Sequence, residues 1–270
     1  MAKLTQRVIN KQIGSGGFKP PAKCCGKNVI QQSLISGVPI PNEPPEQRPL
    51  ILGFDAIGNA PVVNPASVAQ WNTFFGLPAN GTPFTSVQVI GNEVRLYGGS
   101  GITMAVALFS SSSGLVSIID VALCVVAVGQ LALSGVATLT NITLNACLNF
   151  ALNSCDQNVS LTTISATAGT DFGDACFEGN TALTTPITLP SAINIGASCF
   201  NGCNLLATIS LPVCTNLGGT VGDDNVFGTS AVTQAGGVLT IPIALMTVDA
   251  GNPDGDIQAV ISGGGTVVTV

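Results

Sequence analysis

The chain has 270 residues, of which 46% are hydrophobic but only 5% aromatic and 8% charged. Globular chains carry roughly 25% charged residues, so Ser, Thr, Asn and Gly must cover much of this surface, as they do in repetitive β structures and in subunits of larger assemblies. The absence of histidine removes the commonest general base and a common neutral metal ligand.

The net charge of −6 is unevenly spread. All eight Lys and Arg lie at or before Arg95, whereas Leu96 to Val270 holds ten acidic residues and no basic one. Two ends of opposite charge point to two different partners. Nine cysteines cannot all pair internally, and no Cys-x-x-Cys unit is present. Buried reduced thiols are the expected state, ahead of disulfides in an exported protein or a metal site.

Residues 1–50 are basic and rich in Pro and Gly, with breaks at Gly14-Ser-Gly-Gly17, Pro20-Pro21 and Pro44-Pro45. The segment reads as an extended attachment arm whose cations, Lys3, Arg7, Lys11, Lys19, Lys23 and Lys27, would anchor it to a partner. A disordered tail is the plainer alternative. With one aromatic and no dense basic cluster, nucleic acid is not an expected partner. The N-terminus shows no apolar run of the kind a secretory signal needs.

Residues 51–113 read as a helix and a β-hairpin. Leu50-Ile-Leu-Gly-Phe54 has strand character. Asn64-Pro65 is expected to open a helix, with Asn as cap and Pro in the first turn. Val68, Trp71 and Phe74 or Phe75 then share one apolar face as core residues. Phe84–Ile90 and Val94–Tyr97 flank Gly91-Asn-Glu93, a hairpin pattern. So small a unit lacks apolar residues for a core of its own, and trimerisation with copies of itself is expected. Its pattern is similar to shaft modules of phage fibres.

From Val116 one pattern recurs. Val116-x-x-Ile119-x-Val121-x-x-Cys124, Leu139-x-x-Ile142-x-Leu144-x-x-Cys147 and Leu206-x-x-Ile209-x-Leu211-x-x-Cys214 enclose two weaker copies around Ile164 and Ile187. The five isoleucines are spaced 23, 22, 23 and 22. A fixed period in the low twenties with this head is a leucine-rich-repeat signature. Apolar residues recur eight positions past each anchor, at Ala127, Phe150, Phe172, Ile195 and Leu217. Small residues stand five past, at Cys124, Cys147, Gly169, Ala192 and Cys214, and Cys155, Phe177 and Phe200 stand thirteen past. The apolar window Val121–Leu133 belongs to this repeat, and no membrane insertion is expected; a spanning helix needs about 20 apolar residues.

Ile187-Thr-Leu-Pro190 with Ile195-Gly-Ala-Ser-Cys-Phe200-Asn-Gly-Cys203, Asp171-Phe-Gly-Asp-Ala-Cys-Phe177-Glu-Gly179 and Ile209-Ser-Leu-Pro212 resemble the BspA-type leucine-rich repeats of bacterial surface proteins, over about residues 115–257. The Ile142 repeat lacks the Ile-Gly element, and Gly218–Gly228 is an insertion. Leu239-Thr-Ile241 reads as a sixth strand, Asp249–Asp256 as an acidic turn and Ile257–Val270 as a terminal strand. The expected fold is mainly β: a leucine-rich-repeat solenoid over 114–270, preceded by the helix–hairpin module and the arm.

No Gly-x-Ser-x-Gly, Walker loop or metal-ligand cluster appears, so no enzyme, cofactor or metal site is expected. The resemblance implies an interaction role, and such repeats also occur in phages of Bacteroidetes. The expectation is a virion fibre or spike, assembled in the host cytoplasm, whose arm docks on a capsid or tail protein and whose repeats bind a host-surface protein or glycan. A bacterial surface adhesin and an intracellular scaffold are the alternatives. Recognition loops are expected at Glu178, Asn180, Asn201, Asp223, Asp224 and Asn225.

Overall fold

Each repeat is a loop of chain carrying two very short parallel strands, and neither strand can bury its apolar face without the turn above or below it. In the computed structural model, which describes residues 48–110, 114–218, 225–247 and 255–270, successive turns stack so that equivalent side chains form continuous columns. The architecture is mainly β, with a solenoid of about five turns in the repeat region and two short helices. The arm cations Lys3 to Lys27, and Asp223, Asp224 and Asp249–Asp254, lie outside the described residues.

The first strands of the turns are β5 (Leu115–Asp120), β7 (Asn141–Thr143), β9 (Thr163–Ser165), β11 (Ile187–Thr188) and β13 (Thr208–Ser210). They continue into β15 (Val238–Ile241) and β16 (Thr266–Thr269), each parallel to the one before. Ile187 pairs with Ile209, Ile209 with Leu239, and Leu239 with Val267. The ladder is interrupted only between β9 and β11. There Pro186 has no N–H to give, and Thr185 N–H donates to Thr162 O instead.

The expected anchor Ile119 is not in this column. Ile118 pairs with Ile142, Ile119 faces the outer side beside Thr143, and Ile118 is fully buried. The first turn holds one more residue between its inward isoleucine and Cys124 than later turns do before Cys147 or Cys214. A one-residue slip in a strand sends every side chain to the opposite face. Leu115, Ile118 and Asp120 therefore point inward. The same shift replaces the expected Ala127 by Val128, which pairs with Phe150.

The second strands, β6 (Val125–Val128), β8 (Asn149–Phe150), β10 (Asp171–Phe172), β12 (Asn194–Ile195) and β14 (Asn216–Leu217), form a second parallel sheet that starts at β4 (Ile102–Met104). Phe150 and Phe172 stack with ring centres 5.1 Å apart and planes 11° from parallel. A third column has no strand label. Amide bonds from Phe109, Leu133, Cys155, Phe177 and Phe200 to the next turn align these residues with one another and with Phe227. All six are fully buried.

The N-terminal elements close one end of the coil. β1 (Leu50–Phe54) lies antiparallel between β5 and the hairpin strand β3 (Glu93–Tyr97), with β2 (Ser86–Ile90) outermost. Helix α1 (Val68–Phe74) is capped by Ser67, whose hydroxyl accepts the Gln70 N–H, and not by Asn64, which closes the preceding turn on Ala66. Trp71, Phe74 and Phe75 meet Phe54, Phe84 and Phe109 in an aromatic cluster on the first turn. The helix–hairpin segment thus packs its apolar face on the first turn.

At the other end, the expected terminal strand over 257–270 is split. Helix α2 (Gly255–Ser262) comes first and buries Ile257 and Val260; only β16 extends the ladder. Its inward Ile257 and Val260 are three apart, a helical rather than a strand spacing. No described helix is long and apolar enough to cross a membrane, and Val121–Leu133 contains β6.

Ile118→Ala should lower the free energy of unfolding by about 2–5 kcal/mol, as for a buried aliphatic truncation. Ile119→Ala should cost well under half as much. Urea denaturation of the two variants checks the register, and equal losses would contradict it.

Candidate functional site

Chemistry needs a reactive group that solvent or substrate can reach. The seven described cysteines are all buried and unpaired by disulfides. Burial raises the thiols of Cys147 and Cys203 to about 12 and that of Cys214 to about 11. Cys124, Cys155 and Cys176 are raised as well, again chiefly by desolvation. Thiolate is the nucleophile and metal ligand, so these side chains act as small apolar fillers. Among the described residues, no group of three or more Cys, Asp or Glu could hold a metal ion.

Asp120 is a carboxyl that burial perturbs. It takes the inward position that Leu144, Leu189 and Leu211 occupy in later turns. Desolvation raises its pKa, opposed by N–H groups of Val125 and Cys124 that donate to Oδ2 and Oδ1 at 2.8 and 3.0 Å. Those bonds explain the residue: the extra residue in the first turn leaves two amides turned inward, and Asp120 accepts both. The role is to hold a turn.

The expected recognition residues separate into different environments. Asn180 is fully buried and is a bracket between turns, not a loop tip. Its Oδ1 accepts the Asn158 N–H, and its amide donates to Phe177 O and Cys155 O at 2.8 and 3.0 Å. Asn158 repeats the arrangement one turn earlier, accepting the Val136 N–H at 2.7 Å. The backbone groups of a turn are thus satisfied by a side chain of the next. Glu178 and Asn201 are half-exposed neighbours on adjacent turns, joined by Asn201 Nδ2 donating to Glu178 Oε1 at 3.0 Å. Asn225 is exposed with a left-handed φ of 56°, in line with Ala107, Leu131, Asn153, Ala175 and Ser198.

Two regular surfaces face solvent. The outer side of the first sheet carries Asn141, Thr143, Thr163, Ser165, Thr188, Thr208, Ser210 and Thr240, an array of short polar side chains without charge. The second sheet carries Asn149, Asp171, Asn194 and Asn216 in register, one rung apart. Beside this row an open groove of about 300 Å³ is lined also by Asp174, Gly173, Gly196 and Gly218. The sequence reading missed these residues. Their signal was an Asn or Asp before the second-strand apolar residue and a glycine after it in three successive turns, Asp171-Phe-Gly173, Asn194-Ile-Gly196 and Asn216-Leu-Gly218.

From Ile142 on, the stacked turns carry an inward isoleucine, a small residue five positions on and, after Ile164 and Ile187, a phenylalanine thirteen on. Residues 105–223 match the family model described as BspA type leucine rich repeat region, in six copies. The match supports the BspA-type repeat for that stretch and begins before Val116, where the sequence pattern became legible. Such repeats suggest a surface adhesin or an interaction domain, and a solenoid of this kind is typically a non-enzymatic scaffold. No curated protein and no solved structure matches the chain.

Two measurements check this reading of the interior. In native buffer the seven buried thiols should resist a small aromatic disulfide reagent, and in denaturant they should react completely; rapid native labelling at these positions would contradict the burial. Asp120, with its folded pKa raised, contributes stability that is full below its unfolded pKa and is lost as pH rises through the folded one. Between the ordinary carboxylate range and neutrality, unfolding free energy should therefore fall with pH more steeply in the native sequence than in Asp120→Asn. Parallel curves would refute the shift.

Proposed function

We propose that this protein is an adhesive element that holds a cell surface through its repeat half. The observation that carries the reading is the solenoid's division of labour. Among the described residues the titratable thiols are packed inside, while rows of Asn, Asp, Thr and Ser recur outside at the rung spacing of about 4.8 Å. Repeated polar rows on a rigid scaffold suit an extended contact better than a single reaction centre.

In its fuller form the reading is a phage fibre or spike. The basic arm of residues 1–50 docks on an acidic capsid or tail protein, the particle assembles in the host cytoplasm, and the acidic repeat half meets the host. Charge separation favours this form: seven basic residues precede Leu50 and none follows Arg95. A bacterial surface adhesin built on the same repeats is the second reading, favoured by the repeat type alone.

Labelled protein is expected to bind intact cells of a Bacteroidetes panel saturably. Deleting residues 1–45 should preserve that binding but prevent incorporation into particles. Failure to bind any strain would remove the adhesive reading, and incorporation of the shortened chain would remove the arm's role. Negative-stain images divide the two forms: slender oligomers with a globular end follow from a fibre, single chains from an adhesin.

A further inference from the structure

The groove on the second sheet crosses the turns, because its lining comes from equivalent positions of β10, β12 and β14. One wall is the row Asp171, Asn194 and Asn216. The floor is the glycine row, where no side chain fits: a Cβ at Gly173 would stand 2.7 Å from Leu152 N, and one at Gly196 would collide with Asp174 N. The result is a slot parallel to the stacking direction, with backbone beneath and hydrogen-bonding side chains beside it.

We propose that this slot binds a neutral, hydroxyl-rich polysaccharide chain laid along the stack of turns; the inference rests on the adhesive reading and names its ligand class. Three features select that class. First, the walls offer both acceptors and donors, carboxylates at Asp171 and Asp174 and carboxamides at Asn194 and Asn216, and a sugar hydroxyl both gives and takes a hydrogen bond.

Second, charge excludes the alternatives. No Lys or Arg occurs after Arg95, so a uronate or sulfated chain would meet two carboxylates and no positive side chain there. The carboxylates are also largely satisfied. Asp171 accepts from the Thr170 hydroxyl and the Asn194 amide, and Asp174 Oδ1 accepts the Ala197 N–H at 3.0 Å. Three of the four carboxylate oxygens are thereby engaged by neutral donors, which orients them for further neutral donors and weakens their demand for a cation.

Third, the repeat distance fits. Rungs recur at about 4.8 Å, whereas an extended peptide advances about 3.3 Å per residue and loses register with the wall within two rungs. A β-1,4-linked pyranose advances by nearly one rung per ring, so successive rings stay level with Asp171, Asn194 and Asn216 in turn. Each ring then meets one polar side chain of the row, and affinity accumulates from individually weak contacts.

Affinity electrophoresis of the full-length protein tests this, through gels containing hydroxyethylcellulose or galactomannan, with polygalacturonate and a fluorescent oligolysine as comparison probes. Retardation by at least one neutral polymer is expected. It should weaken about tenfold in Asn194→Ala/Asn216→Ala and in Asp174→Asn, whose amide oxygen can still accept the Ala197 N–H, and stay unchanged in Gln88→Ala on the distant hairpin. Circular dichroism must report a native fold for each variant scored. No retardation by any neutral polymer, stronger binding of polygalacturonate or oligolysine, or full retention in both groove variants would overturn the inference. Adsorption to cells is measured on the same samples. If the native protein adsorbs while the groove result fails, only the groove inference falls; if it does not adsorb, the adhesive reading falls with it.

Discussion

No turn of this coil can hide its own oily side chains, and every other feature follows from that constraint. A strand of two or three residues presents one or two apolar groups, too few to make a core. Buried against the turns on either side, the same groups line three columns through the molecule, each capped where the ladder starts. The aromatic rings of the third column sit 5.7 Å apart between Phe177 and Phe200, and 6.4 Å between Phe200 and Phe227. Each ring covers the next, and truncating one uncovers two. Stability in such a structure is a sum over neighbours, not the property of one centre.

Stacking also dictates where polar groups go. The turns between strands leave amides pointing inward, and the chain meets them with side chains one repeat away. Asn158 and Asn180 do this for Val136 and Asn158, and Asp120 does it within its own turn. Among the described residues the interior therefore contains carboxamides such as Asn158 and Asn180 and carboxyls such as Asp120 and Asp256, bonded to backbone amides. Their burial is a consequence of closing the turns, and it separates them from the half-exposed Glu178 and Asn201 that neighbour them in sequence or in space. The surface inherits the same regularity. Because a rung must align with its neighbours, an Asn at one position of the second sheet becomes a row, and a glycine demanded by close backbone approach becomes a slot.

The period, the family resemblance and the mainly β solenoid were legible because burial by neighbours forces the same residue type to return at the same offset. Ile142, Ile187 and Ile209, the Phe177–Phe200 column and the extra strand at Leu239 could be read from spacing alone. The first turn could not. Val116, Ile119 and Val121 satisfy the pattern as apolar residues, but the three-dimensional pairing of β5 with β1 and β7 selects Leu115, Ile118 and Asp120. Hydropathy cannot distinguish two registers that differ by one residue when both faces hold aliphatic side chains. The slipped register also places a carboxylate inside, which no hydropathy rule would choose.

The linear chain by itself determined the repeat, its length, the separation of positive from negative charge and the lack of any histidine-based chemistry, since these are properties of residue identity and order. Tertiary structure alone decided which isoleucine faces inward, that Asn180 is a bracket and not a loop tip, that the helix–hairpin segment closes the first turn, and that Asp171, Asn194 and Asn216 stand in one row beside a glycine floor. Each of those depends on which backbone lies one rung away, and that neighbour is some twenty residues distant along the chain.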